Sequence, residues 1–292
     1  MAEYIGLTAI CGPEGTGKTT MALTFPKPLF HMDIDVGGYE RASWRFIEED
    51  ILSKPYPRPI NVDKLMGTRT TGAGADIDIR YPKKVSGVKE LWQRIIIDFV
   101  AACQSTAPIY HTIVLDTSTM LYNVAHNTHL QELQEKQIAQ NPNMNENDLR
   151  EKLLPIEYGP VYDRMNQLFH TARSFKKNLV LTHYPKDVYA EMINSKGEVE
   201  SYNTGKLDLD GYKHTAKLMD LVVWVELMQN PQTKKVAPYG TMRKAANMPL
   251  EAIGQIIPAT FDAVLDLRNR MRNPTPPPVA PTLEEQLKAM QK

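Results

Sequence analysis

The sequence predicts an α/β protein with a mostly parallel β-sheet that is covered by helices on both faces. Two observations lead to this fold class: short apolar runs bounded by turn signals, and helical patterns that separate them along the chain. The predicted strands are residues 5–11, 28–35, 112–116, 178–183 and 221–227. The predicted helices are residues 18–24, 88–103 and 161–176. In such a fold, ligands bind at the carboxyl ends of the strands.

The composition is that of an ordinary globular protein of the cytoplasm. The 292 residues, 42% hydrophobic and 23% charged, suffice for one large α/β domain or two small ones. Cys11 and Cys103 lie far apart and Cys11 ends a predicted buried strand, which favours a reducing compartment. We expect no signal peptide and no membrane span. The formal net charge is zero, so any site for a polyanion must be local.

We expect one domain over residues 1–272, with two segments that interrupt the alternation of strands and helices. Residues 53–86 are rich in proline, glycine and basic residues and predict an irregular insertion. Residues 131–154 are polar, with a break at 141–145, and suggest a mobile helical excursion. A C-terminal β-hairpin is expected at residues 230–244. Residues 273–292 predict a flexible tail of a proline-rich linker and a short helix, which is either a docking helix or a disordered end.

The segment GPEGTGKT, residues 12–19, matches the phosphate-loop pattern G-x-x-x-x-G-K-[ST] at every defined position. Its glycines let backbone N–H groups turn toward phosphates, and the N-terminus of the following helix adds a positive dipole. We expect Lys18 to reach the β and γ phosphates and Thr19 to bind Mg²⁺, so the predicted ligands are ATP and Mg²⁺. The residues expected to contact the nucleotide are Gly12, Pro13, Glu14, Gly15, Thr16, Gly17, Lys18, Thr19 and Thr20.

Asp116 ends the apolar run TIVLD and is the predicted carboxylate of the Mg²⁺ shell. A helix-capping aspartate is the alternative interpretation. The next residue is Thr117 rather than glutamate, so a carboxylate that activates water must come from elsewhere.

The strand at 28–35 ends with two carboxylates, Asp33 and Asp35, which are the candidates for that function. Asp35 is the last residue before a Val-Gly-Gly turn, and we predict that it acts as the general base. The alternative is that both residues only end a strand and start a turn.

These motifs resemble those of the bacterial RecA recombinases. GPEGTGKTT, with its acidic Glu14, is similar to that family's loop GPESSGKTT, and the DID at 33–35 resembles its D-x-E, whose second carboxylate activates water. The layout of residues 5–230, including Tyr158-Gly159 before a helix and the strand LVLTHY, is similar to the compact RecA-like ATPases of bacteriophages, some of which are linked to single-strand annealing.

This resemblance implies a RecA-like P-loop NTPase core that hydrolyses ATP and assembles with itself into a ring or filament. It implies single-stranded DNA as the substrate, a single-strand-binding or annealing protein as a further partner, and the cytoplasm of a bacterial host if the chain is phage-encoded. It also implies a γ-phosphate sensor at the end of strand 178–183, where His183 stands; the alternative is a strand-end histidine without that role. Basic fingers that reach a neighbour's γ-phosphate are implied too, with Arg243 and Lys244 as candidates; the alternative is a basic surface hairpin.

Residues 184–217 interleave lysines with tyrosines, a pattern that suits single-stranded DNA because phosphates meet cations while bases stack on rings. Acidic residues among them favour a solvated β-hairpin as the alternative. The basic, glycine-rich segment around Arg69 is a second candidate of the same kind. The basic and aromatic candidates in 184–217 are Lys186, Tyr189, Lys196, Tyr202, Lys206, Tyr212 and Lys213.

The leading hypothesis is therefore a DNA-stimulated ATPase of phage recombination, repair or replication. A small-molecule or nucleotide phosphotransferase shares the same phosphate loop but usually carries an arginine-rich lid, and segment 53–86 has only Arg58, Arg69 and Arg80. A third hypothesis is a nucleotide-gated assembly module without significant turnover, because aspartate at position 35 has a shorter reach than glutamate.

Overall fold

A computed structural model describes residues 3–60, 68–71, 77–80, 83–107, 109–193, 199–229 and 234–272. Its strands are β1 (Leu7–Cys11), β2 (Leu29–Asp33), β3 (Ile51–Pro55), β4 (Thr68–Thr71), β5 (Ile77–Arg80), β6 (Thr112–Asp116), β7 (Asn178–His183), β8 (Pro185–Ile193), β9 (Val199–Leu209), β10 (Leu221–Gln229), β11 (Val236–Ala245) and β12 (Ile256–Pro258). Its α-helices are α1 (Lys18–Leu23), α2 (Gly38–Ser43), α3 (Val88–Gln104), α4 (Ser118–Gln140), α5 (Gly159–Ser174), α6 (Thr215–Leu218) and α7 (Phe261–Arg272). Short 3₁₀ helices lie at Glu146–Asp148, Pro155–Tyr158 and Leu250–Ala252.

One eight-stranded sheet, in the order β12-β11-β10-β1-β7-β6-β2-β3, organises the fold. The strands from β10 to β3 run parallel, whereas β11 and β12 are antiparallel to their neighbours. This arrangement confirms the predicted fold class, an α/β fold with a mostly parallel sheet flanked by helices and a C-terminal β-hairpin, here β10 and β11. The carboxyl ends of β1, β7, β6 and β2 consequently meet at one edge of the sheet.

The central strands are buried because helices cover both faces of the sheet. Every residue of β1, β2, β6 and β7 is buried, as the uninterrupted apolar runs of parallel strands require. On one face the core includes Phe99 of α3 and Phe169 of α5. On the other face it includes Met21 of α1 and Phe261 of α7, whose ring packs 4.8 Å from that of Phe25. No helix in the described ranges has the length and apolar character needed to cross a membrane.

Residues 131–140, expected to belong to a separate excursion, instead continue α4 as far as Gln140. Its polar pattern reflects buried amides rather than a solvated segment. The Gln131 and Gln134 side chains are 4% and 1% exposed, and they bond backbone groups of residues 83–89 and 150. This part of α4 is thereby tied to residues 83–85, to the first turn of α3 and to residue 150.

Strands β8 and β9 pair with each other as an antiparallel sheet of their own. We call residues 185–209 the arm. Most of its described side chains are exposed, so this segment is the solvated hairpin that the charge pattern suggested. Within segment 53–86, β3 extends the edge of the main sheet, and β4 and β5 form a second two-stranded sheet. The rest of residues 61–82, Lys196 and the tail at 273–292 lie outside the described residues.

Candidate functional site

The phosphate loop connects β1 to α1, as its pattern predicted. Gly12 lies so close to β10 that a Cβ atom there would be 2.1 Å from the Val225 carbonyl oxygen, which explains the need for glycine. Beside the loop is a cavity of about 330 Å³. It is lined by loop residues between 14 and 20, and also by Asp35, Gly38, Arg41, Asp116 and Tyr184.

The Lys18 ammonium group is held inside this loop. Its Nζ donates hydrogen bonds to the carbonyl oxygens of Gly12 (2.9 Å) and Pro13 (2.7 Å), and it lies 5.0 Å from the centre of the Tyr184 ring. Burial lowers the pKa of Lys18, although nearby acidic groups, including Asp116, oppose this shift. A buried cation at the cavity wall suits an anionic ligand such as a phosphate group.

Asp116 is the most enclosed carboxylate of the cavity. Its Oδ2 accepts a hydrogen bond from Thr19 Oγ1 at 2.7 Å and lies 3.3 Å from His31 Nε2, while its Oδ1 accepts a hydrogen bond from Thr182. Burial alone would raise the pKa of the Asp116 carboxyl, but the contacts with His31, Thr182 and Thr19 together lower it. The cap of α4 comes from Thr117, whose Oγ1 accepts from the Met120 N–H, and not from Asp116.

Thr19 and Asp116 together form a fitting site for Mg²⁺. Their hydroxyl and carboxylate oxygens are of the hard type that Mg²⁺ prefers, and Mg²⁺ usually takes its other ligands from water and phosphates. Gly38 keeps this space open, because a Cβ atom there would lie 2.8 Å from Asp116 Oδ2 and 3.5 Å from Thr19 Oγ1. The donor atoms and the free volume therefore agree with a metal held between the loop and β6.

The two carboxylates after β2 differ in their surroundings. Asp33 is buried, and its Oδ2 accepts hydrogen bonds from the Gly37 and Tyr39 N–H groups at 2.9 and 3.5 Å, so it stabilises the turn into α2. Asp35 lines the cavity and accepts a hydrogen bond from Tyr184 Oη at 2.6 Å. Of these two residues, Asp35 is the one that a molecule in the cavity can contact, and its role toward water stays a prediction.

His183, the expected sensor, ends β7 but lies outside the cavity that the described residues form. Its side chain is fully buried, and its Nδ1 donates to the Asp210 carbonyl oxygen at 2.9 Å. Thr182, one residue earlier, faces Asp116 instead, so the alternation of side chains along the strand turns His183 away. The expectation that His183 contacts the γ-phosphate is therefore corrected: the structure brings Tyr184, the following residue, into the cavity.

Arg243 and Lys244, the expected fingers, contact residues of β10, the arm and α6 in their own chain. The Arg243 guanidinium stacks 3.7 Å from the centre of the Trp224 ring and donates to the Leu207 carbonyl oxygen at 3.1 Å. Lys244 donates to two carbonyl oxygens of α6. Neither residue lines the cavity of its own chain, and a role at a neighbour's site stays a prediction.

The expected DNA contacts separate into exposed and buried residues. Tyr189 and Tyr202 on the arm are 60% and 47% exposed, so their rings are accessible. Tyr212 is buried and donates to Asn166 Oδ1, and it belongs to the core rather than to a binding surface. Lys213 lies over the ring of Tyr162 at 4.8 Å. The basic segment around Arg69 falls largely outside the described residues.

Four residues of the site were not singled out by sequence reasoning. Thr182 and His31 contact Asp116, and both could have been inferred from their places on strands that flank β6. Tyr184 and Arg41 have weaker signals, since Tyr184 lies in the one-residue connection between β7 and β8 and Arg41 lies in the short helix α2. Among the residues that the structure describes, Lys18 and Arg41 are the basic side chains that line the cavity.

Comparisons with known proteins agree with this geometry at the level of a family. A family model described as an AAA domain matches residues 7–243. No curated protein matches the chain. Among solved structures, a KaiC-like protein from the hyperthermophilic archaeon Pyrococcus horikoshii OT3 is similar, with a TM-score of 0.38 and 13% identity over 84% of this chain and 81% of that one.

Proposed function

The chain belongs to the AAA domain family, and from this premise we propose that it is a Mg²⁺-dependent ATPase that acts on single-stranded DNA in phage recombination, repair or replication. One observation carries the proposal. Lys18, Thr19, Asp35 and Asp116 come from three separate places in the sequence and line a single cavity beside the phosphate loop. That combination provides phosphate binding, a metal site and a carboxylate for water.

Each residue has a distinct task in the proposed reaction. The backbone N–H groups of the loop and the Lys18 ammonium bind and orient the phosphates of ATP. Thr19 and Asp116 would hold Mg²⁺, and the ion would supply positive charge beside the phosphates. Asp35 accepts the proton of the attacking water. His31 and Thr182 fix the Asp116 carboxylate in its orientation.

Support for single-stranded DNA comes from the arm. Tyr189 and Tyr202 expose aromatic rings on which bases can stack, and stacking is tolerant of sequence. The sequence of the arm contains three lysines and five carboxylates, so its net charge is negative. Attraction to the phosphates of DNA therefore contributes little to binding there. We therefore propose that the arm binds DNA mainly by stacking. Arg243 and Lys244 complete a neighbour's site in the proposed ring or filament, and a single-strand-binding or annealing protein is the further proposed partner.

The test is the rate of ATP hydrolysis with and without single-stranded DNA. We expect DNA to raise the rate of the wild-type chain, and Lys18→Ala to lower both rates about 100-fold or more, because it removes a cation that stabilises transferred charge. Tyr189→Ala combined with Tyr202→Ala should keep the basal rate and abolish the stimulation.

A salt series separates the proposed stacking contact from an electrostatic one. Between about 50 and 200 mM salt, affinity for DNA should fall far less than the roughly 1,000-fold expected of a protein with several phosphate contacts. A rate that does not respond to DNA would overturn the DNA part of the proposal and leave ATP hydrolysis intact.

A further inference from the structure

We propose that Tyr184 is a positioning residue for Asp35, and that through it the arm and the phosphate cavity influence each other. This inference rests on the proposed function, because it concerns the carboxylate that activates water. Nothing in the sequence pattern assigned a role to Tyr184. Its contacts in the structure carry the proposal.

The Tyr184 side chain contacts two other residues that line the cavity. Its Oη donates to Asp35 Oδ2 at 2.6 Å, and its ring lies 5.0 Å from Lys18 Nζ. Burial raises the pKa of the Tyr184 hydroxyl, and the contact with Asp35 raises it further, so the phenol keeps its proton and remains a donor. One hydroxyl group thus sets the direction in which an Asp35 oxygen points.

The backbone of Tyr184 is fixed at the root of the arm. Its carbonyl oxygen accepts from the Asp210 N–H at 2.9 Å, just beyond the end of β9. Its own N–H donates to Thr119 Oγ1 at 3.2 Å, and the Thr119 hydroxyl donates to the Asp210 carbonyl oxygen at 3.0 Å. Pro185 follows at once and begins β8. Both ends of the arm therefore meet at the residue whose phenol enters the cavity.

Thr119 extends this connection toward Asp116, which belongs to the predicted Mg²⁺ site. It lies in the first turn of α4, three residues after Asp116. A displacement at the root of the arm is consequently transmitted to Asp35 through a side chain and to the start of α4 through a hydroxyl. Among the described strands, β8 and β9 pair with each other and not with the main sheet, so the arm can move without breaking that sheet.

The variant Tyr184→Phe isolates the hydroxyl group. It keeps the aromatic ring near Lys18 and removes the donor to Asp35. We expect kcat for ATP to fall about 10-fold or more, within the range that a misplaced catalytic group costs. The affinity for the non-hydrolysable β,γ-imido analogue of ATP should stay unchanged. Tyr4→Phe, which removes a partly exposed phenol shortly before the amino end of β1, is the matched control and should turn over like the wild type.

A second measurement reports the coupling itself. Hydrogen exchange of the arm's backbone amides is followed in the full chain with and without the imido analogue and Mg²⁺. We expect the analogue to change the exchange of the arm in the wild type and in Tyr4→Phe, but not in Tyr184→Phe. Thr119→Val should weaken the response in the same direction, which keeps the test valid if Tyr184→Phe folds poorly.

The outcomes distinguish this inference from the proposed function. If the wild type does not hydrolyse ATP, the proposed function fails, and the exchange experiment still tests the link through Tyr184. If Tyr184→Phe retains both the wild-type kcat and the wild-type exchange response, the role of Tyr184 is overturned. A loss of kcat with an unchanged exchange response would also overturn the coupling to the arm.

Discussion

Thr182 and His183 lie side by side at the end of β7 and project to opposite faces of the sheet. Thr182 donates to Asp116, whereas His183 donates to the Asp210 carbonyl oxygen. Burial lowers the pKa of His183 to about 4, so its imidazole is neutral at pH 7. The end of this strand could be predicted from the sequence. Whether Thr182 or His183 faces the cavity could not, because that depends on how β7 pairs with its neighbouring strands.

The buried imidazole of His183 makes the fold sensitive to acid. The pKa of His183 is lowered from 6.5 in an exposed histidine to about 4. Between pH 4 and pH 6.5, this histidine therefore binds a proton in the unfolded chain but stays neutral in the native chain. The free energy of unfolding should fall as the pH falls through this window, by on the order of a few kcal/mol from this group. Urea unfolding at pH 7 and pH 4.5 measures the loss.

The variant His183→Gln removes this titration and should lose less stability between the two pH values than the wild type. His170→Gln, at an exposed position, is the control and should lose as much as the wild type. An equal loss in all three proteins would contradict a buried neutral imidazole at position 183.

At the scale of elements, the central parallel strands were predictable, whereas the edge strand β3 and the polar helix were not. The strand bounds at 112–116 and 178–183 coincide with β6 and β7, because a strand buried on both faces reads as a short continuous apolar run. The end of α4 was misread, because a polar sequence does not reveal whether its amides meet water or buried backbone groups. Gln131 and Gln134 do the latter.

Those two glutamines should therefore contribute to stability although they are polar. Gln131→Leu leaves the Val88 and Lys89 N–H groups at the start of α3 without their partner, and Gln134→Leu does the same for the Val85 N–H group and two carbonyl oxygens. These groups are partly buried, and each unsatisfied group costs up to about 1–3 kcal/mol. Gln140→Leu, at the exposed end of α4, is the control and should cost little. Chemical denaturation midpoints of the three variants test this; if the buried and exposed substitutions cost the same, the anchoring role is wrong.

At the scale of the whole molecule, the order of the strands assembles the site. Because β1, β7, β6 and β2 are neighbours and parallel, their carboxyl ends deliver the phosphate loop, Thr182, Asp116 and the turn with Asp35 to one edge. The phosphate loop and the strand ends were therefore predictable from local patterns. The contact between Tyr184 and Asp35 joins residues 149 positions apart, and no local pattern reports such a pair.

Phosphate release by Asp35→Asn shows whether Asp35 activates water for ATP hydrolysis in this cavity. The amide keeps nearly the same shape but accepts a proton poorly. We therefore predict that Asp35→Asn binds the imido analogue with wild-type affinity and that its rate of phosphate release is reduced by about 100-fold or more. Asp50→Asn, at an exposed position, should release phosphate like the wild type. Undiminished phosphate release by Asp35→Asn would contradict that role of Asp35.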